Sequence, residues 1–249
     1  MTAALELHGL CKHFGGLTAT DDVSLSVAAG SLHALIGPNG AGKTTLINQV
    51  AGDLRQDRGT IRLGGTDIGA LPAWERVRRG LARTFQITQL LPHATVLDNV
   101  ALAVQVRQGH SFRFFADARK NPEAREQAVQ CLHDVGLAAR AAAKVSDISH
   151  GDCKQLELAV ALATRPSLLL LDEPMAGLSP LESQQMIELL AKLKRKLTIV
   201  LVEHDMDAVF ALADRISVLV YGRVVATGTG DEIKANPEVR VAYLGEGCD

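Results

Sequence analysis

Gly37-Pro38-Asn39-Gly40-Ala41-Gly42-Lys43-Thr44 satisfies the phosphate-loop pattern G-x-x-x-x-G-K-[ST] at every fixed position. Leu32 to Ile36 before it reads as a short apolar strand, and Thr45 to Val50 after it can open a helix. This context predicts a nucleoside triphosphate site on an α/β fold. Glycines let the chain curl so that backbone N–H groups converge on phosphate oxygens, and the helix N-terminus adds partial positive charge. Lys43 is expected to reach the β- and γ-phosphates, Thr44 to place its hydroxyl on Mg²⁺, and Thr45 to join the nucleotide contacts. An accidental Gly-Lys-Thr turn is the alternative, and it gives no reason for the flanking strand and helix.

The length of 249 residues allows one large domain carrying a subdomain. A formal net charge of −2 with interspersed signs lacks the footprint of a dedicated nucleic-acid binder. Cys11, Cys131, Cys153 and Cys248 show no C-x-x-C spacing, so they read as free thiols in a reducing compartment and not as a zinc site or disulfide framework. No apolar run approaches the roughly 20 residues that span a bilayer, and the N-terminus has no basic signal-peptide start, so a soluble chain is expected.

Leu5 to His8, Val23 to Val27 and Ile61 to Leu63 predict short strands of an antiparallel layer, the first two by strict alternation. Thr95 to about Thr164 is mainly helical in composition and reads as an insertion. Inside it, Phe112, Phe114 and Phe115 stand beside Arg113, Arg119 and Lys120. Such a cluster can bind a membrane or nucleic acid, although a packed helix hairpin or a partner contact is the preferred reading. Leu168 to Leu171 and Thr198 to Val202 are continuous apolar runs flanking a helical stretch from Leu181 to Lys196, which predicts a βαβ unit in a parallel sheet. Ile216 to Val220 and Arg223 to Ala226 read as a hairpin around Tyr221-Gly222.

Asp172 and Glu173 end the first of those buried runs. Asp172 is expected to hold Mg²⁺ through its water shell, and Glu173 to polarise the attacking water. Alone, an Asp-Glu pair is a solvated turn; beside a phosphate loop it becomes a catalytic pair.

The markers stand in the order found in ATP-binding cassette (ABC) transporter ATPases, and nearly the whole chain resembles that family. The resemblance implies a P-loop NTPase core of the ABC ATPase type with an antiparallel β subdomain and a helical subdomain. One domain spans 1–249, its nucleotide-binding core with the antiparallel layer from 1–94 and 165–249, and its helical subdomain with the signature motif from 95–164. It further implies that Gln86 senses Mg²⁺ or water and relays that state to a membrane subunit. Ser149-His150-Gly151-Asp152 resembles the signature motif, in which Ser149 and Gly151 hold the γ-phosphate bound by an opposing subunit; a plain Ser-capped helix uses the same groups. His204 matches the switch histidine, and Phe14 falls where an aromatic face meets adenine, although packing against the strands also suits it. Departures are Ile148 and Cys153 around the signature, and Ala176-Gly177-Leu178-Ser179, which puts Ser179 where an Asp usually touches the opposite subunit.

Gly80 to Gln86, Ser149 to Asp152, Met175 to Pro180, Glu203 to Met206 and the tail Ala242 to Glu246 resemble the branched-chain amino-acid importer subgroup. That likeness implies a second ATPase subunit, identical or paralogous, two transmembrane permease subunits, an external solute-binding protein, and a place at the cytoplasmic face of the inner membrane. Urea or short amides are alternative solutes. A lipid or lipopolysaccharide exporter is an alternative transporter. A non-transport ABC protein acting on nucleic acid lacks the expected tandem cassette, long coiled coil or basic element. An inactive scaffold is disfavoured because Lys43, Asp172, Glu173 and His204 are all present.

Overall fold

The computed structural model describes residues 3–84, 90–108 and 121–241. Strands β1 (Ala3–Phe14), β2 (Leu17–Ala28), β4 (Arg58–Leu63) and β5 (Thr66–Asp67) form an antiparallel sheet in the order β2-β1-β4-β5. A second sheet has the order β10-β9-β3-β8-β7-β6, from β3 (Leu32–Ile36), β6 (Leu81–Arg83), β7 (Leu168–Asp172), β8 (Thr198–Val202), β9 (Arg215–Val220) and β10 (Arg223–Gly228). Its pairings are parallel except for the β9–β10 hairpin. The helices are α1 (Lys43–Ala51), α2 (Ala73–Arg78), α3 (Val96–Arg107), α4 (Pro122–Asp134), α5 (His150–Ala163), α6 (Pro180–Leu193), α7 (Met206–Leu212), α8 (Gly230–Ala235) and α9 (Pro237–Val239).

Every residue of β3, β7 and β8 is buried, as continuous apolar strands covered on both faces require. The leucines, isoleucine and valines of β7 and β8 alternate between two apolar clusters, while Ala34 and Ile36 of β3 join a third. Leu169, Leu171, Ile199 and Leu201 join the cluster built with α3, α4, α5 and α6. Leu168, Leu170, Val200 and Val202 join Leu46, Ile47 and Val50 of α1 and the apolar face of the antiparallel sheet. In that sheet Leu5 pairs with Val27 and Leu63, and Leu7 with Leu25 and Ile61, so one face stays apolar across three strands. Arg76 of α2 is buried and closes the far end of α1: Nη1 donates to the Gln49 and Val50 carbonyls at 2.7 and 2.8 Å.

The predicted strand at Leu5 continues past His8 to Phe14 and the one at Val23 begins earlier, at Leu17, because register shifts break the alternation between Ala3 and Phe14. Helix α1 starts at Lys43, two residues before the predicted start, since Gly42 in a left-handed conformation turns the chain directly into it. Helix α6 ends at Leu193 instead of Lys196. The predicted hairpin is present, with Tyr221 and Gly222 at φ 47° and 78°.

A polar chain runs from buried His33 across β9 to β10: His33 Nε2 lies 2.9 Å from buried Ser217 Oγ, which lies 2.6 Å from Thr227 Oγ1 at the surface. Burial, with a smaller contribution from Arg215, lowers the His33 pKa to about 4. The unfolded chain therefore binds this proton first, so folding stability is full above the ordinary histidine pKa of 6.5 and falls as pH drops toward 4. The loss reaches at most about 3 kcal/mol. Urea unfolding at several pH values should show His33→Gln flattening that acid limb; an unchanged limb excludes His33 as its source.

Candidate functional site

The carboxyl ends of β3, β8 and β7 lie side by side, where ligands gather in open α/β sheets. The chain leaves β3 at Ile36 and forms the loop to α1. A Cβ at Gly37 would collide with the Leu219 carbonyl, and one at Gly42 with the Ala19 carbonyl, so glycine is sterically required at both. The Ala41 carbonyl accepts from the Gly222 N–H at 2.9 Å, which fastens the loop to the β9–β10 turn. Gly42 is the N-cap of α1 and offers no side-chain acceptor, whereas Thr95, Asn121, Ser149, Ser179, Asp205 and Thr229 each cap their helices through a side chain. The first turn of α1 thus keeps its N–H groups for an external anion. Lys43 is buried, and its ammonium donates to the Gly37 and Pro38 carbonyls at 2.6 and 3.0 Å. Burial lowers its pKa, opposed by Glu173 and Asp172. Asn39, Gly40 and Thr44 are exposed, and Thr45 is half-buried.

Asp172, at the tip of β7, is 1% exposed. Its Oδ2 accepts from Arg83 Nη2 at 3.1 Å, while its Oδ1 is buried with no hydrogen-bond partner among the described residues. Burial pushes this carboxyl above the usual carboxylate range, with Arg83 and Lys43 pulling it back. An uncommitted buried carboxylate oxygen beside a phosphate loop suits a divalent cation. Glu173 turns away from the strand at φ 50°, a left-handed conformation uncommon outside glycine, and its N–H donates to the Val202 carbonyl at 2.9 Å. That turn brings Glu173 Oε1 within 2.7 Å of His204 Nε2. His204 follows buried Glu203, whose two oxygens accept from the Met175 and His204 N–H groups at 2.9 and 3.0 Å. Burial raises the Glu203 pKa, and those backbone bonds oppose the rise.

Lys43, Asp172, Glu173 and His204 are thus gathered at one end of the sheet. Ser149 and Gly151 lie elsewhere, at the start of α5 against the 176–182 turn, and among the described residues no hydrogen bond joins them to the phosphate loop. Ser149 forms a capping box with Asp152, and His150 Nε2 lies 3.5 Å from the Ala176 carbonyl. A Cβ at Gly151 would collide with the Glu182 carboxylate. Ser179 caps α6 in its own box with Glu182, a task for which Ser and Asp are equally suited. Cys153 packs at the edge of the helical cluster, and burial raises its pKa. Phe14 ends β1 at 49% exposure outside the core, with Lys12 Nζ 5.7 Å from its ring centre. Gln86, the Phe112–Phe115 cluster, Cys248 and the Ala242–Glu246 tail lie outside the described residues.

Two side chains at this site carry no role in the sequence reading: Arg83, which binds Asp172, and Glu203, which anchors the backbone before His204. A lone charge at the end of an apolar strand was the available signal for Arg83.

The family described as "ABC transporter" matches residues 20–176, and "Branched-chain amino acid ATP-binding cassette transporter" matches residues 223–249. The chain is 40% identical to the high-affinity branched-chain amino acid transport ATP-binding protein LivG of Salmonella typhimurium, over 97% of this chain and 98% of the relative. It resembles the ADP conformation of an ABC transporter cassette with TM-score 0.87 and 32% identity, covering 99% of this chain and 100% of that one. A dimeric post-hydrolysis cassette bound to ADP and Pi matches with TM-score 0.76 and 25% identity, over 91% of this chain and 98% of that one.

Replacing Lys43 removes a charged donor from the loop and two bonds that tie the loop to itself. Lys43→Ala should weaken ATP binding by about 10- to 100-fold, the worth of one or two charge-assisted hydrogen bonds. Calorimetric titration measures this, with circular dichroism to verify the fold; unaltered affinity would remove Lys43 from the phosphate site.

Proposed function

The chain belongs to the ABC transporter family of ATP-binding cassettes, and from that membership we propose that it is the ATP-hydrolysing subunit of an importer for branched-chain amino acids. The full-length match to a branched-chain amino acid transport protein supports the solute class. The observation that carries hydrolysis is the 2.7 Å contact between Glu173 and His204 beside the phosphate loop.

The backbone of 37–45 and the Lys43 ammonium bind the phosphates, and Phe14 offers its exposed ring to adenine. Thr44 and Asp172, with Gln86, would hold Mg²⁺; the orphaned Asp172 Oδ1 fits that assignment. When bound, the ion offsets charge on the β- and γ-phosphates. Glu173 accepts a hydrogen bond from water and aligns it, and His204 fixes the Glu173 carboxylate and reaches toward the γ-phosphate. As the bond from water oxygen to the γ-phosphorus forms, the bond from that phosphorus to the β–γ bridging oxygen breaks, and the water's proton passes to Glu173. Charge developing on the ADP oxygen falls near Lys43.

Ser149 and Gly151 are assigned to the site of a second ATPase subunit, in keeping with their position away from this chain's own loop. Two permease subunits, an external solute-binding protein and attachment at the cytoplasmic face of the membrane complete the assembly. No helix among the described residues is long and apolar enough to cross a membrane, so the permeases would supply the attachment. Copurification of the permease with the binding protein, followed by ATPase stimulation with leucine, isoleucine and valine, tests the solute. Stimulation only by urea or short amides would replace that assignment.

Glu173→Gln should keep MgATP binding and lower hydrolysis at least ~100-fold, the lower range for acid–base contributions. Parallel binding and single-turnover assays separate the two quantities, and equal losses in both would reassign Glu173 to nucleotide retention. Ser149→Arg should obstruct only the facing phosphate site, so the assembled transporter loses ATP-driven closure and transport while each chain still binds nucleotide. Intact transport by this variant, with turnover independent of protein concentration, would exclude a composite site.

A further inference from the structure

Arg83 is 10% exposed at the end of β6 and, among the described residues, donates to acceptors on α1, just after α1 and on β7. Nη1 donates to Asn48 Oδ1 on α1 at 2.6 Å and to Asp53 Oδ2 just after that helix at 2.8 Å. Nη2 donates to Asp172 Oδ2 at 3.1 Å. We propose that Arg83 is the positioning residue of the metal half of the site, presenting Asp172 by one chosen oxygen and holding it at a fixed separation from the helix that carries Thr44.

Asp172 has two oxygens and Arg83 occupies one, so the carboxylate cannot rotate freely and Oδ1 is the atom left to meet a cation. Asn48 stands four residues after Thr44 on α1, close to one helical turn, and so moves with it as part of the same rigid element. One guanidinium therefore joins the strand bearing one metal-binding group to the helix bearing the other. Its planar set of separate N–H groups can serve three acceptors at once, which a lysine ammonium on a flexible stem does less well. Arg83 and Lys43 stand against Asp53, Asp172 and Glu173, so the local balance stays negative and favours a divalent cation. Outer partners of metal ligands act in this way, by orienting them.

This inference rests on the reading of Asp172 and Thr44 as the metal-binding pair, and the experiment separates the two. In full-length chain carrying Glu173→Gln, titrate a fluorescent ATP analogue in excess Mg²⁺ and again in EDTA, and take the ratio of the two dissociation constants as the magnesium contribution. Arg83→Met should reduce that ratio by about 10- to 100-fold, as loss of an orienting partner does, while binding in EDTA stays within about twofold. Arg83→Lys should recover part of it, and Asn48→Ala should lower it in the same direction by a smaller factor; these two carry the test if Arg83→Met does not fold. An unchanged or increased ratio in foldable Arg83 variants overturns the proposal, an increase marking Arg83 as a competitor of the cation. Asp172→Asn is the control: if it leaves the ratio intact, the metal assignment itself fails, whereas loss in Asp172→Asn with none in Arg83→Met defeats the Arg83 proposal alone.

Discussion

A carboxylate at the end of an all-leucine strand, almost out of reach of water, sets the electrostatic demand around which the site is built. Asp172 is delivered there by β7, whose burial on both faces fixes both the height and the direction of its last residue. Such a charge persists only where counter-charges and donors surround it. Arg83 from β6 and Lys43 from the phosphate loop supply them, and each is itself largely withdrawn from water. The neighbouring turn then tolerates a left-handed Glu173, because the Val202 carbonyl and His204 hold it from the adjacent strand. Binding chemistry and backbone strain are thus concentrated where three buried strands stop.

What could be read from the sequence follows from how far apart the cooperating residues lie. The loop at 37–44 and the acids at 172–173 are contiguous, and their spacing encodes a local backbone path, so both were legible. The parallel strands were legible because runs such as Thr198 to Val202 leave no polar face. Arg83 was not, since its partners Asn48 and Asp172 lie 35 and 89 residues away and come together only through the order of strands. Glu203 escaped for the opposite reason: its acceptors serve backbone N–H groups, which have no signature of their own. The long antiparallel strands were shortened in the sequence reading because each bulge shifts the alternation that identifies them.

The turn after β7 shows how a departure from a family pattern is absorbed. Ser179 keeps the capping function that an Asp would have, through its box with Glu182. The same Glu182 lies against Gly151, and His150 reaches the Ala176 carbonyl, so the start of α5 and the start of α6 are held together. Any displacement of the signature segment is therefore felt by the residues immediately after Glu173.

The phosphate loop is made early in the chain but is shaped by late residues. Leu219 supplies the carbonyl that Gly37 packs against, and Gly222 supplies the N–H that holds Ala41. During synthesis residues 37–44 leave the ribosome with their sequence motif complete and their outer wall missing. The loop gains that wall only after the β9–β10 turn, which carries Gly222, has emerged. Nucleotide affinity is in this sense a property of the finished chain, and a ligand that binds the loop also reports that the last strands of the sheet have found their places.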